Sequence, residues 1–345
     1  MGLNIREIIP RKEIEISDLK GKTICIDAFN TLYQFLSSIR QVDGTPLMDR
    51  KKRVTSHLSG IFYRNIALLE SGIKLVYVFD GIPPESKFKT FRKREEGRDL
   101  ARDRYETAKS EEDLEAMKRY SSQLIRLNDE MIRESKELLD AMGIGVIQAP
   151  GEGEAQAAHL AKRQGIFAAA SQDYDSLLFG APKLIRNLTL AKKRKTISGW
   201  IEVKPEIIEL ENVFNSLEIN LDQLICLGIL VGTDYNPKGI PGIGQKKALQ
   251  IVKRYKQPVL IFKSLEEQIM SLSKEDRFDW REIFELFHKP NVSSNFFKFG
   301  KINEKKIRQI LVSEHDFSDD RVQKQLERLR DITEKNKQRG LDKWF

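Results

Sequence analysis

Two periodicities of apolar residues alternate along the chain. Three short runs rich in β-branched and apolar residues, in "KTICIDAFN", "IKLVYVFDG" and "GIFAAASQDYDSLLF", read as strands. Each gives way to acid: at Asp27, at Asp80, and at Asp173 and Asp175. Between them lie stretches of helical spacing over 28–39, 56–69 and 154–163. Strands alternating with helices predict an α/β fold, a twisted and mostly parallel sheet flanked by helices. In such sheets the functional crevice lies beyond the carboxyl ends of the strands, so acids at several strand ends converge there.

A further apolar stretch, 144–147, leads into "QAPGEGEAQAAHLA". Its G-x-G resembles the start of a dinucleotide-binding turn, but Gln156 stands where the third glycine belongs. Glu152 and Glu154 put negative charge where a pyrophosphate tolerates it least. The glycine between them keeps the backbone compact, so that both carboxylates can turn inward at a helix start.

From Glu85 to about Glu137 the apolar positions thin out into "ESKFKTFRKREEGRDLARDRYETAKSEEDLEAMKRYSSQ", which predicts a solvated helix pair protruding from the domain. Its first third is basic, with Lys87, Lys89, Arg92, Lys93, Arg94 and Arg98. Lys87 and Arg94 share a helix face about 10 Å apart, and follow Asp80 closely enough to meet a phosphate near the acids. Further on, "GIPGIGQKKALQIVKRY" has the pattern of a helix-hairpin-helix with a helix starting near Gln245. Gly239, Gly242 and Gly244 permit a tight turn with outward N–H groups, and Lys246 and Lys247 add charge, a combination suited to a duplex backbone. A last helix is expected over 318–337, with Val322, Leu326, Leu329 and Ile332 on one stripe. The chain ends on Trp344 and Phe345, an aromatic pair that either folds back on the core or serves a partner.

Composition narrows the class. At 345 residues with 40% hydrophobic positions, the chain can bury a sizeable core, and its net charge of +8 favours an anionic partner. Cys25 and Cys226 each sit in an apolar run and read as free buried thiols. No span of 18 apolar residues and no secretory signal is present, and Arg6 stands where a myristoylation motif needs Ser or Thr. The expectation is a cytoplasmic protein without membrane contact.

The acids that matter are Asp27, Asp80, Glu152, Glu154, Asp173, Asp175 and Asp234, the last in "CLGILVGTDYNP". At ~6 Å and an effective dielectric of ~20, each close pair of them costs about 2.8 kcal/mol, while a helix dipole returns at most ~1 kcal/mol. Such a cluster requires protonation or bound divalent cations, and an all-oxygen donor set selects Mg²⁺ or Mn²⁺ over zinc. Two such ions can activate water and hold both the attacking and the leaving oxygen of a phosphodiester. Tyr33 either packs in the core or offers a ring on which a base stacks. His57 and His159 read as packing or surface residues, with a polar substrate contact open to His57.

Taken in order, "DAFNTLYQFL", "DGTPLMD", "TSHLSGIFYR", "VYVFDGIPPE", "APGEGEAQAA", "ASQDYDSLLFG" and "VGTDYNPKGIPGIGQKKAL" resemble the structure-specific 5′ nucleases, and more narrowly the archaeal flap endonucleases. The resemblance implies a single nuclease domain over 1–330, with a helical arch at about 84–130 and a helix-hairpin-helix at about 226–255, then a tail over 331–345. It implies two Mg²⁺ ions, replaceable by Mn²⁺, with Asp27, Asp80, Glu152 and Glu154 around one. Asp173, Asp175 and Asp234 would hold the other, with Glu154 between the two. By the same resemblance Lys87 and Arg94 are the arch cations that contact the scissile phosphate, and Tyr33 is the aromatic on which the neighbouring nucleotide stacks. Gly2 resembles the family's start, where the chain end lies near the active site once Met1 is removed.

The tail "QRGLDKWF" is similar to a sliding-clamp binding box, in which Leu341, Trp344 and Phe345 enter an apolar pocket while Gln338 caps a polar one. Implied partners are therefore branched DNA (a 5′ flap, a nicked or gapped duplex) and a sliding clamp, with the protein itself a monomer. The implied reaction is 5′-flap cleavage, with 5′–3′ exonuclease activity, in Okazaki-fragment maturation and repair. The competing readings are a Holliday-junction resolvase, a PIN-type ribonuclease, or a non-enzymatic clamp-bound adaptor. Two departures from the family pattern stand out: Gly151 where serine is commoner, and His159 where tyrosine is.

Overall fold

The computed structural model describes residues 3–41, 44–121, 123–163, 165–190, 193–196, 199–294 and 297–341. Its strands are β1 (Lys12–Glu13), β2 (Thr23–Asp27), β3 (Lys74–Phe79), β4 (Gly145–Gln148), β5 (Ala168–Ala170), β6 (Lys183–Arg186), β7 (Lys193–Thr196), β8 (Gly199–Glu202) and β9 (Glu206–Glu209). Its helices are α1 (Ala28–Ser38), α2 (Ser56–Glu70), α3 (Phe88–Ser110), α4 (Leu114–Ser121), α5 (Asp129–Ala141), α6 (Gly153–Ala161), α7 (Asp175–Leu178), α8 (Leu210–Leu217), α9 (Leu221–Val231), α10 (Gln245–Tyr255), α11 (Pro258–Lys263), α12 (Glu266–Met270), α13 (Trp280–His288), α14 (Glu304–Arg308) and α15 (Asp319–Leu341).

The central sheet has the order β1-β9-β6-β5-β2-β3-β4, and β7 pairs with β8 apart from it. From β6 to β4 all neighbours are parallel. The expected mostly parallel sheet is present, with an antiparallel margin where β9 joins β6 and β1 joins β9. Along β2 and β3 the side chains alternate: Cys25, Val76 and Val78 face one layer, while Ile24, Ile26, Leu75, Tyr77 and Phe79 face the other. Burial on both faces is why these strands read as nearly continuous apolar runs. Helices α1, α2, α5, α14 and α15 cover one face, and α6 to α11 with α13 cover the other. The stripe expected on the last helix is real: Val322, Leu326 and Leu329 enter the core and Ile332 packs at its margin.

The charged segment divides. Helices α3 and α4 pack on each other, with Ala101 and Ala108 buried along α3. Arg40, just past α1, ties the far end of this pair down by donating to Ser121 Oγ (3.0 Å) and Ser121 O (3.2 Å). From Asp129 onward, however, α5 returns to the sheet, because Leu138 and Leu139 restore an apolar face. Over the stretch read as a helix-hairpin-helix, about 226–255, helix α9, which starts at Leu221, is joined by a turn to α10. Among the described residues no single helix is long and apolar enough to cross a membrane.

His57 is fully buried on α2, which removes it from any substrate. It belongs to a polar cluster that joins α2, α5 and the segment after α14. His315 Nδ1 lies 3.2 Å from Asp49 Oδ2 and its Nε2 lies 3.0 Å from Glu134 Oε1. Only the doubly protonated ring donates to both carboxylates at once. Burial alone would lower the His315 pKa, but the bonds to Glu134 and Asp49 outweigh it and raise it above the usual histidine value. Burial likewise opposes the Glu134 charge, yet the hydrogen bond with His315 and the nearby His57 ring, 3.5 Å away, bring its pKa down to about 2.

A histidine with a raised folded pKa stabilises fully below its unfolded value near 6.5, and loses that contribution as pH rises through the folded value. His315→Gln is therefore expected to cost about 1–3 kcal/mol at pH 6 and clearly less at pH 9, read from urea melts at the two pH values. An equal cost at both would contradict the imidazolium assignment.

Candidate active site

Every acid reaches the same crevice through its place at a strand or helix end. Asp27 closes β2 and caps α1, accepting the Asn30 N–H on Oδ1 at 3.1 Å. Asp80 follows β3 directly, and its Oδ1 accepts the Gly153 N–H at 2.6 Å. Glu152 is the residue before α6 and Glu154 lies in its first turn. Asp173 and Asp175 come after β5, with Asp175 opening α7, and Asp234 follows α9. A cavity of about 500 Å³ is lined by Asp27, Asp80, Glu152, Glu154, Asp173 and Asp234, with Asp175 buried close behind.

Glycine has a sharper purpose here than compactness. A Cβ on Gly153 would lie 2.6 Å from Asp80 Oδ1 and 3.2 Å from the Val78 carbonyl oxygen, so its absence lets the Asp80 carboxylate dock on the α6 N-terminus. At Gly151 a Cβ would come within 2.9 Å of the Asn291 carbonyl oxygen. That close approach of the loop around Asn291 accounts for glycine at this position.

The electrostatics are those of crowded, desolvated charge. Burial, then the Asp80 and Asp173 charges, push the Asp27 pKa up to about 8, against the opposing Asn30 N–H and Lys87. Burial raises Asp80, helped by Glu152 and Asp234. Burial also raises Glu154 and Asp175 well above the carboxylate range, with Asp175 adding to Glu154 and Asp234 adding to Asp175. Asp175 Oδ1 is buried with no hydrogen-bond partner. Lys87 extends from the base of α3 into this field, its Nζ 2.5 Å from Glu152 Oε1 and 3.2 Å from Asp234 Oδ2. The acids ring the crevice rather than closing on a point: among the described residues no three carboxylate, histidine or cysteine side chains already surround one ion position. Hard oxygen donors in excess of the local positive charge, one of them orphaned, nonetheless fit a hard divalent cation.

The other expected residues divide. Tyr33 is not a core residue; its ring is 39% exposed and lines the crevice. Arg94 lies on α3, but its side chain is outside the described residues, as are those of Gln338 and Leu341; Gly2, Trp344 and Phe345 are outside them altogether. Gly239 and Gly242 adopt left-handed φ values of 54° and 77°, and Gly244 precedes α10, so the hairpin turns as expected. Lys246 and Lys247 are exposed at its first turn. His159 sits against Arg163, away from the crevice lining.

Four residues of the site escape sequence reasoning. Ser171 lies among the acids; Asn30 donates to Asp173 Oδ2 at 2.9 Å. The Tyr235 hydroxyl donates to Glu152 Oε2 at 2.5 Å, and the Thr90 hydroxyl at the base of α3 donates to the Asp234 carbonyl at 2.5 Å. Ser171 and Tyr235 are signalled only by adjacency to an acid, as in S-x-D or D-Y, which is too common to single them out, and Asn30 and Thr90 lack even that.

The XPG N-terminal domain matches residues 4–101 and the XPG I-region matches residues 143–234. The flap endonuclease 1 of Thermococcus onnurineus is 51% identical over 100% of this chain and 99% of its own length. Among solved structures, the flap endonuclease-1 of Methanococcus jannaschii superposes with a TM-score of 0.76 at 39% identity, covering 97% of this chain and 100% of that one. The catalytic core of Rad2 in complex with a DNA substrate shares the fold at a TM-score of 0.69 and 22% identity, over 95% of this chain and 100% of its own.

A carboxyl whose folded pKa is raised holds its proton in the folded state and not in the unfolded one. Its contribution to stability is therefore lost as pH climbs from about 4 to the folded value, here about 8 for Asp27. Divalent cations reverse this loss by binding the ionised form. Millimolar Mg²⁺ is expected to raise Tm more at pH 8 than at pH 5.5, by about 1–2 °C for each kcal/mol recovered. An Mg²⁺ increment that does not change with pH would contradict the assignment of the raised values to a cation site.

Proposed function

The chain belongs to the flap endonucleases of the XPG nuclease family and is a metal-dependent, structure-specific nuclease of branched DNA; from that premise we propose the residues, ions and partners through which it acts. The reading is that Asp27, Asp80, Glu152 and Glu154 hold one Mg²⁺, and Asp173, Asp175 and Asp234 the second, with Glu154 between them and Mn²⁺ able to substitute. The observation that carries it is the gathering of these carboxylates from separate strand and helix ends into one crevice, where an unpartnered Asp175 oxygen and raised pKa values call for a divalent cation.

When bound, two such ions activate water at neutral pH and stabilise both oxygens of an in-line displacement. The protein's own groups bind and orient the DNA. Lys87 brings an ammonium to the acids from the arch base, and in the reading proposed it turns to the scissile phosphate, as does Arg94 about two turns further along α3. The exposed ring of Tyr33 stacks the nucleotide beside the cut. The α9–α10 hairpin, through Gly239, Gly242, Gly244, Lys246 and Lys247, grips duplex backbone, while α3 and α4 admit the single-stranded 5′ end. Recognition is thus of shape and phosphate, not of base sequence. The products are a 5′-phosphate and a 3′-hydroxyl. The tail from Gln338 to Phe345 carries the enzyme on a sliding clamp.

Asp175→Ala is expected to lower 5′-flap cleavage by about 10³-fold or more while binding of the same substrate in Ca²⁺ is kept. Cleavage at the parent rate would remove Asp175 from the machinery. Deletion of Gln338 to Phe345 is expected to abolish stimulation by a sliding clamp with basal cleavage intact, measured on a double-flap duplex. Loss of basal cleavage would instead show that the tail folds back on the core.

A further inference from the structure

A single hydroxyl stands among three of the acids. Ser171 follows β5 directly and is buried. Its Oγ donates towards Glu154 Oε1 at 3.0 Å, lies 3.3 Å from Asp27 Oδ2, and accepts the Asp173 N–H at 3.2 Å. A hydroxyl has one proton and two lone pairs. The accepted N–H fixes how Oγ is turned, and the one proton is shared between a carboxylate at the end of β2 and one on the first turn of α6.

Asn30 makes the matching contacts from α1. Its Nδ2 donates to Asp173 Oδ2 at 2.9 Å, its Oδ1 accepts the Gln172 N–H at 3.2 Å, and its own N–H donates to Asp27 Oδ1 at 3.1 Å. Ser171 and Asn30 thus both bond to Asp27, and between them also hold Glu154 and Asp173.

Both are neutral donors, and that is chemically distinctive. A lysine placed here would neutralise the acids and compete with a cation, as Lys87 pairs with Glu152 and Asp234. A hydroxyl or an amide fixes the plane of a carboxylate and leaves its charge available for a metal. An ionised carboxylate has about four lone-pair sites, so one or two such bonds do not exhaust its capacity to ligate.

We infer that Ser171 and Asn30 are positioning residues for the cation site, holding Asp27, Glu154 and Asp173 in the planes from which they bind divalent ions. This rests on the reading that those acids are metal ligands. Outer partners of this kind are worth about 10–100-fold in metal affinity, an effect distinct from the loss of a ligand.

The test uses full-length Ser171→Ala and, because the serine is buried, also Asn30→Ala at the half-buried crevice wall. Calorimetric titration of Mg²⁺ into the DNA-free proteins is expected to show affinity weakened by about 10–100-fold. Flap cleavage should need correspondingly more Mg²⁺ for its half-maximal rate, yet at saturating Mg²⁺ come within about threefold of the parent, with KM for DNA unchanged. Unchanged affinity in both variants, or a rate that added Mg²⁺ does not restore, overturns the inference. Asp175→Ala in the same assays separates the two levels. If it keeps Mg²⁺-dependent turnover, the ligand assignment itself fails. If it loses turnover while both other variants bind Mg²⁺ like the parent, only the positioning role fails.

Discussion

Carboxylates carried on the ends of β2, β3 and β5, on the first turn of α6 and on the turn after α9 share one desolvated crevice, and their mutual repulsion is what the surrounding structure answers to. Burial and like charge together hold Asp27, Asp80, Glu154 and Asp175 above their ordinary pKa values. Left to itself, such a cluster would protonate or force the strand ends apart. The protein meets the strain with directional bonds: a helix N-terminus for Asp80, a tyrosine hydroxyl and an ammonium for Glu152, a serine and an asparagine for the acids between. What these bonds leave over is a concentration of oxygen donors whose charge a divalent cation can satisfy.

The parallel sheet makes this possible. Its parallel strands, β2 to β6, deliver their carboxyl ends to one edge, and apolar side chains on both faces fix their register. The same edge receives α3 and α4, whose base reaches the acids through Lys87 and Thr90, and the turn that leads to α10. Asp234 and Tyr235 stand at that turn, and Lys87 and Thr90 touch Asp234 from the base of α3, so the hairpin proposed to grip the duplex and the segment proposed to pass the single strand both meet at the acids.

The strands and the acids were legible in the sequence because each obeys a local rule. β-branched runs ending in Asp27 and Asp80 mark strand ends whatever surrounds them, and the stripe of Val322, Leu326 and Leu329 fixes a helix. What was not legible depends on approach in space. Gly153 looked like a spacer between two glutamates, and only the position of Asp80 Oδ1 shows that it clears a landing site. The return of α5 to the sheet was hidden in a highly charged segment, since two leucines suffice to dock it. Ser171 and Asn30 carry no distinguishing pattern at all, because their value lies wholly in which carboxylates they touch.

Anomalous scattering from crystals of the protein grown with Mn²⁺ would test the central claim most directly. Two Mn²⁺ peaks a few ångströms apart, ringed by Asp27, Asp80, Glu152, Glu154, Asp173, Asp175 and Asp234, are the predicted result. A crevice free of Mn²⁺ at saturating concentration, or ions bound only outside that ring, would contradict it.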